Sequence, residues 1–154
     1  MKGVHPMETL RFSDFLDSYI QTMPDSMQDG MLYRLTYAEN LTRLTFYVTF
    51  PQLVPANDLF SLEKTLQQAL EIETVRIAPN YAATLCQTAY FPELLQLLKR
   101  EQPVVNGFFD HAQIQQDGQN WTITLKNGGY EIVQRYHVAE QLQNLLQRLF
   151  SVSI

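Results

Sequence analysis

The sequence predicts an α+β chain of two small αββαβ units, residues 1–79 and 80–154. Three observations lead there. Apolar residues recur at every second position in neighbouring stretches of each half, which is the period of half-buried strands. Leucines recur every three or four residues in the stretches that follow, the period of a helix with one buried stripe. The halves also repeat at a nearly constant offset: Leu44 to Trp121 and Val75 to Val152 are both 77 apart, and Leu62 to Val138 and Leu66 to Leu142 are 76 apart. Such a period suits a duplicated module better than a solenoid. A unit of ~75 residues has a marginal core by itself, so each is expected to pack on the other or on a neighbour.

In the first half, Phe12, Phe15, Leu16, Tyr19 and Ile20 lie three and four apart, predicting a helix within Arg11 to Met23 with Ser13 as N-cap and Pro24 closing it. Met31, Tyr33, Leu35 and Tyr37 then alternate with Arg34 and Thr36. Past the turn Glu39-Asn40, Leu44, Phe46, Val48 and Phe50 alternate with Arg43, Thr45 and Thr49, so a hairpin with one buried face is expected. Pro51 and Pro55 bracket a turn, Asn57 or Asp58 is placed to cap, and Leu59, Leu62, Leu66 and Leu70 form a helical stripe opposite Glu63, Lys64, Gln67 and Gln68. Thr74 to Ile77 reads as a short strand closed by Pro79.

In the second half, Asn80 to Tyr90 and Pro92 to Arg100 read as helices, the latter opened by Pro92 and carrying Leu94, Leu95, Leu97 and Leu98. Pro103 to Phe109 reads as a turn or short helix. Ala112 to Gln116 and Trp121 to Lys126 flank Asp117-Gly118, a hairpin pair, and Asn127, Gly128 and Gly129 break the second of these strands. Val138, Leu142, Leu145, Leu146 and Leu149 give a helical stripe before a closing strand, Ser151 to Ile154.

Charge and composition narrow the function. Eleven Lys and Arg face sixteen Asp and Glu, a net of -5, so a chain-wide footprint for nucleic acid is missing. Cys86 is the single cysteine, which removes any intramolecular disulfide framework and suits a reducing, cytoplasmic setting. No apolar run approaches the ~20 residues of a membrane span, and Met1 to Met7 lacks the basic start and apolar core of a signal peptide.

Phosphate-loop, dinucleotide, zinc-protease and nucleophile-elbow motifs are all missing. His5, His111 and His137 are far apart, and Asp110-His111 reads as a solvated edge. The closest carboxylate pairs, Asp14 with Asp17 and Glu71 with Glu73, read as solvated faces, and Cys86 as a small hydrophobe in the run Ala82 to Tyr90. No catalytic, cofactor-binding or metal-binding residue is assigned.

The stretch Leu44-Thr-Phe-Tyr-Val-Thr-Phe-Pro-Gln-Leu53, followed by a leucine-rich helix and a short strand, resembles the first N-terminal region of PolC-type bacterial DNA polymerase III. Gln119 to Asn127, with the helix through Leu149 and the strand to Ile154, is similar to that family's second N-terminal region. The resemblance runs from about Met31 to the end, rests on apolar patterning with a Phe-Pro-Gln landmark, and carries no catalytic motif. It implies a truncated K-homology-like fold similar to the C-terminal domain of the clamp loader tau subunit. It also implies a non-catalytic role in replisome protein contacts, tau foremost, within an enzyme whose polymerase and exonuclease regions lie elsewhere. The apolar Val152-Ser-Ile154 end suits a domain boundary.

A single-stranded nucleic-acid binder is the alternative. K-homology modules clamp the backbone with a Gly-x-x-Gly loop, and this chain has none. Residues 1–79 hold six cations against ten acids, a net of -4, and residues 80–154 hold five against six, a net of -1. A weak basic patch is therefore sought in the second half, at Lys99, Arg100, Lys126 and Arg135, with Arg148 nearby and Trp121 as a stacking ring. Against that stand the ordinary roles of such residues, cations in a last helical turn and a tryptophan in the core at the position of Leu44.

Overall fold

The computed structural model describes residues 2–20, 22–38, 40, 42–101, 112–118, 120–125, 134 and 137–152, with backbone only for residues 2–8. Within it the chain forms two compact units, Met1–Tyr81 and Ala82–Ile154.

The first unit contains β1 (Lys2–Arg11), α1 (Phe12–Leu16), β2 (Met31–Ala38), β3 (Arg43–Thr49), α2 (Ala56–Leu70) and β4 (Thr74–Asn80). The sheet order is β1-β2-β3-β4; β1 and β3 run antiparallel to β2, and β4 parallel to β3. The mixed α+β class is as expected, but the unit begins with a strand that the sequence reading lacks. Residues 2–11 carry Gly3 and Pro6 and no alternation. Proline is tolerated on an edge strand because no neighbour needs its missing N–H, and β1 is an edge strand.

The first helix is far shorter than the expected Arg11 to Met23. Its start is set by β1: the Phe12 N–H donates to the Gly30 carbonyl at 2.9 Å, continuing the ladder, and Arg11 rather than Ser13 occupies the N-cap without a side-chain bond. Phe12 and Leu16 are buried, whereas Tyr19 is 49% exposed, so only the first turn of the apolar stripe finds a core. Phe12 and Phe15 both pack on Phe46, with ring centroids 5.5 and 6.0 Å apart.

In β2 the odd-position face holds only beyond a bulge. The register steps from Leu32↔Val48 to Arg34↔Tyr47, leaving Tyr33 as the extra residue. Directly opposed residues share a face, so Leu32 joins Val48, Leu35 joins Phe46 and Tyr37 joins Leu44. Met31 is accordingly 38% exposed and Leu32 fully buried, the reverse of the expectation. Leu44 itself is half-buried. The parallel register extends the core face through Val75, Ile77 and Pro79.

Helix α2 contacts β4, with Ala56, Leu59, Leu62 and Leu66 buried. Neither Asn57 nor Asp58 caps it; Pro55 is the N-cap, and Asp58 instead accepts a hydrogen bond from Ser26 Oγ at 2.7 Å. The opposite side of α2 is not wholly solvated as its pattern suggests. Glu63 is buried at 3% exposure, and its Oε2 accepts the Ile77 N–H at 2.8 Å, while Gln67 Oε1 accepts the Val75 N–H at 3.2 Å. Four helical residues rise ~6 Å and two strand residues ~6.6 Å, so positions 63 and 67 match positions 77 and 75. Two N–H groups on the edge strand β4 are thereby occupied from above. Gly30 is required by packing, since a Cβ there would lie 2.6 Å from Phe50 Cε1 and 2.8 Å from Val48 Cγ1.

The second unit contains α3 (Phe91–Glu101), β5 (Gln113–Asp117), β6 (Asn120–Thr124) and α4 (Val138–Phe150). Asn80 to Tyr90 is not a helix: Asn80 ends β4, and short 3-10 turns at Ala83–Leu85 and Thr88–Tyr90 follow. The hairpin pairs Asp117 with Asn120, with Gly118 at φ 60° opening the two-residue turn, a conformation glycine adopts without cost. Leu94, Leu95, Leu97 and Leu98 of α3 and Val138, Leu142, Leu145, Leu146 and Leu149 of α4 are buried. The principal contact of α4 is with α3. Tyr90 meets Phe150 edge-on at 6.2 Å. Trp121, Ile123 and Leu125 are half-buried. The offset of 77 relates β3 to β6 but fails at the end, where Ser151 and Val152 form no strand and residues 153–154 lie outside the described residues. The expected element at Pro103 to Phe109 also lies outside them.

Candidate interaction surface

Of the sequence-derived basic patch, Lys99 and Arg100 are described and Lys126 and Arg135 lie outside the described residues. Lys99 and Arg100 occupy the last turn of α3, where cations complement the carbonyl end of the helix. Both are half-buried. The next residue, Glu101, receives Arg148 Nη2 on both carboxylate oxygens at 3.0 Å, so the charge there is mixed.

The other candidates are dispersed. Asp14 on α1 and Asp17 at its C-cap are exposed, as are Glu71 and Glu73 beyond α2. Among the described residues, no group of three or more His, Cys, Asp or Glu is placed to hold a metal ion. His137 Nδ1 lies 2.9 Å from Glu140 Oε2 on the surface. Cys86 sits in extended backbone after a 3-10 turn, and burial pushes its thiol above the usual range, away from the thiolate a nucleophile requires. No described helix is long and apolar enough to cross a membrane.

A more organised surface lies on the face of the first sheet turned away from the core. Along β2, β3 and β4 this face carries Arg34, Thr36, Arg43, Thr45, Tyr47, Arg76 and Asn80. The bulge adds Tyr33: consecutive residues of a regular strand point to opposite sides, but a bulge lets two of them oppose one partner. Tyr33 and Arg34 both meet Tyr47. The Arg34 guanidinium lies 5.0 Å from the Tyr47 ring centroid, and the two tyrosine rings are tilted at 6.4 Å. Burial raises the Tyr33 phenol above its ordinary value, with Tyr47 adding to the effect; Arg34 and a hydrogen bond from the Asn80 side chain oppose it. A shallow depression beside this cluster is lined by Thr36, Tyr37, Ala38, Arg43 and Thr45. β2, β3 and β4 contain three arginines and no acid.

The Leu44-to-Leu53 run that carries the resemblance spans most of β3 and leads into α2. Residues 11–78 match the family model of the DNA polymerase III polC-type N-terminus I. The match begins at the end of β1 and ends within β4, so it covers most of the first unit, which is similar to that N-terminal region. It does not extend into the second unit. No curated relative and no solved structure matches the chain.

Tyr33, Arg34, Arg43, Tyr47 and Arg76 form a group outside the less acidic half, where the cation patch is expected from charge. The alternation already sets Arg34, Arg43 and Thr45 on one polar face. Tyr47, two positions past Thr45, follows the same alternation, but Tyr33 joins them only through the bulge and the β2–β3 register, which local periodicity does not encode.

Proposed function

We propose that the chain is a non-catalytic interaction module at the N-terminal end of a PolC-type replicative DNA polymerase III. It makes protein contacts in the replisome, with the clamp loader tau subunit as first partner, and reaches DNA only through the rest of the polymerase in the bacterial cytoplasm. The observation that carries this reading is the family match over residues 11–78. The net charge of -5 and the lack of a Gly-x-x-Gly clamp also favour a protein partner. In the same reading, the second unit is the family's second N-terminal region and the units are truncated K-homology-like folds similar to the C-terminal domain of tau.

The test is to titrate purified tau and a labelled single-stranded oligonucleotide into one preparation of the 154-residue chain at two salt concentrations. Saturable tau binding with weak salt dependence is expected, with poor oligonucleotide binding at physiological salt. Tight oligonucleotide binding that falls steeply with salt and is lost in a Lys99→Glu, Arg100→Glu double variant, without tau binding, overturns it in favour of the nucleic-acid reading.

A further inference from the structure

The tyrosine–arginine face of the first sheet has a charge opposite to that of the unit that carries it. Residues 1–79 hold ten acids, yet none lies on β2, β3 or β4, which hold three of the six cations. Arg34 and Arg43 are both exposed. The planar guanidinium is weakly hydrated and matches a carboxylate with two parallel N–H donors. Arg34 is also held over Tyr47, so it is partly ordered before any partner arrives. Arg43 lines the shallow depression together with the half-buried Thr45 and with Thr36, which is buried at 8% exposure.

We propose that this face is a docking surface for an acidic segment of a partner protein, with Arg34 and Arg43 each taking a carboxylate. This rests on the replisome-contact reading and adds the face and the partner's chemistry. The spacing makes it specific. Arg34 is opposite Tyr47, four residues along β3 from Arg43, so the cations are separated by ~13 Å along the strand direction. An extended segment with two carboxylates four residues apart matches that distance. A single-stranded nucleic acid fits less well, because binders of that kind offer free aromatic faces for base stacking. Here the Tyr47 ring is covered by Arg34 and flanked by Tyr33, whose phenol is engaged by Asn80. The rest of the first unit holds all ten of its acids against three cations, which favours this face over the remainder of that unit for an anionic partner.

Fluorescence anisotropy on the 154-residue chain tests the surface with three probes: a labelled extended peptide bearing two glutamates four residues apart, its glutamine counterpart, and an oligothymidine. Variants Arg34→Glu and Arg43→Glu are compared with Lys64→Glu, an equal charge change on exposed α2 surface. The glutamate peptide is expected to bind and the glutamine peptide not. Each arginine reversal is expected to weaken binding about tenfold, as loss of a charged contact does, with Lys64→Glu near wild type. Arg43 makes no ring contact with Tyr47, so its reversal separates docking from any effect on the Arg34 stack. No peptide binding, equal losses in all three variants, or tighter oligothymidine binding lost in the same two variants overturns the proposal. Repeating the tau titration with these variants separates the two readings. Tau binding untouched by both reversals overturns the docking face alone, and peptide binding that depends on the arginines without any tau binding overturns the tau assignment alone.

Discussion

The two units start from similar sequence patterns and bury them differently. In the first, Phe46 and Val48 are at most 1% exposed, whereas the hairpin residues 77 positions on in the second, Ile123 and Leu125, are half-buried; Leu44 and Trp121 are half-buried alike. The helical stripes differ little, since Leu62 and Leu66 are as buried as Leu142 and Leu146. What separates the units is the sheet. β3 has partners on both sides and β4 is covered by α2, while among the described residues β5 and β6 pair only with each other. An alternating strand therefore shows that one face will be apolar, and the neighbouring elements decide how dry that face becomes.

The largest test of this comparison is truncation of matching leucines. Leu66 is fully buried in the helix that covers β4, and Leu146 is 1% exposed in the helix that packs on α3. Leu→Ala at such sites costs ~2–5 kcal/mol, more where the surroundings cannot collapse into the space. Denaturant unfolding is expected to place Leu66→Ala in the upper part of that range and Leu146→Ala below it, because two helices can shift together more readily than a helix held to a sheet edge. Equal costs would show that the sheet adds no rigidity to the first core.

A smaller effect probes the hold of α2 on β4. Glu63→Ala removes the acceptor of the Ile77 N–H and leaves a buried donor unpaired, a cost of ~1–3 kcal/mol. Glu63→Gln keeps an acceptor and is expected to lose markedly less. Equilibrium unfolding gives the two energies, and hydrogen exchange at the Ile77 amide reports whether the loss is local. Similar costs for both variants would mean that the side-chain volume, not the hydrogen bond, matters.

The smallest effect is in alkaline solution, where each unit has a reporter among the described residues. Tyr33 and Cys86 both have raised pKa values in the folded chain, mainly from burial. The folded state thus holds these protons more tightly than the unfolded state. That contribution is fully present below the ordinary pKa of each group, ~8.5 for cysteine and ~10 for tyrosine, and is lost as pH rises through the folded value. Thermal midpoints are expected to fall on the alkaline side. Tyr33→Phe flattens the fall in the first unit near the tyrosine range, and Cys86→Ala flattens it in the second at lower pH. An unchanged slope in Tyr33→Phe would show that the phenol's surroundings are wetter than its packing against Tyr47 implies.

Much of this was legible in the sequence. Leucine spacing located α2, α3 and α4, and alternation located β2, β3, β5 and β6, because both are local periods that a buried face imposes on any chain. The Phe-Pro-Gln run and its flanking pattern carried the family resemblance that the match over residues 11–78 supports. Three features depended on the folded chain. β1 is a strand through its pairing with β2, without alternation of its own; α1 stops where its core contact stops; and the bulge at Tyr33 reassigns one half of β2 to the other face. Charge shows the same division. The arginines of β2, β3 and β4 and the absence of acids among them can be counted along the chain, but their assembly with two tyrosines needs strand register. Register is set by contacts between residues distant in sequence, so it is a property of the tertiary fold and not of any local window.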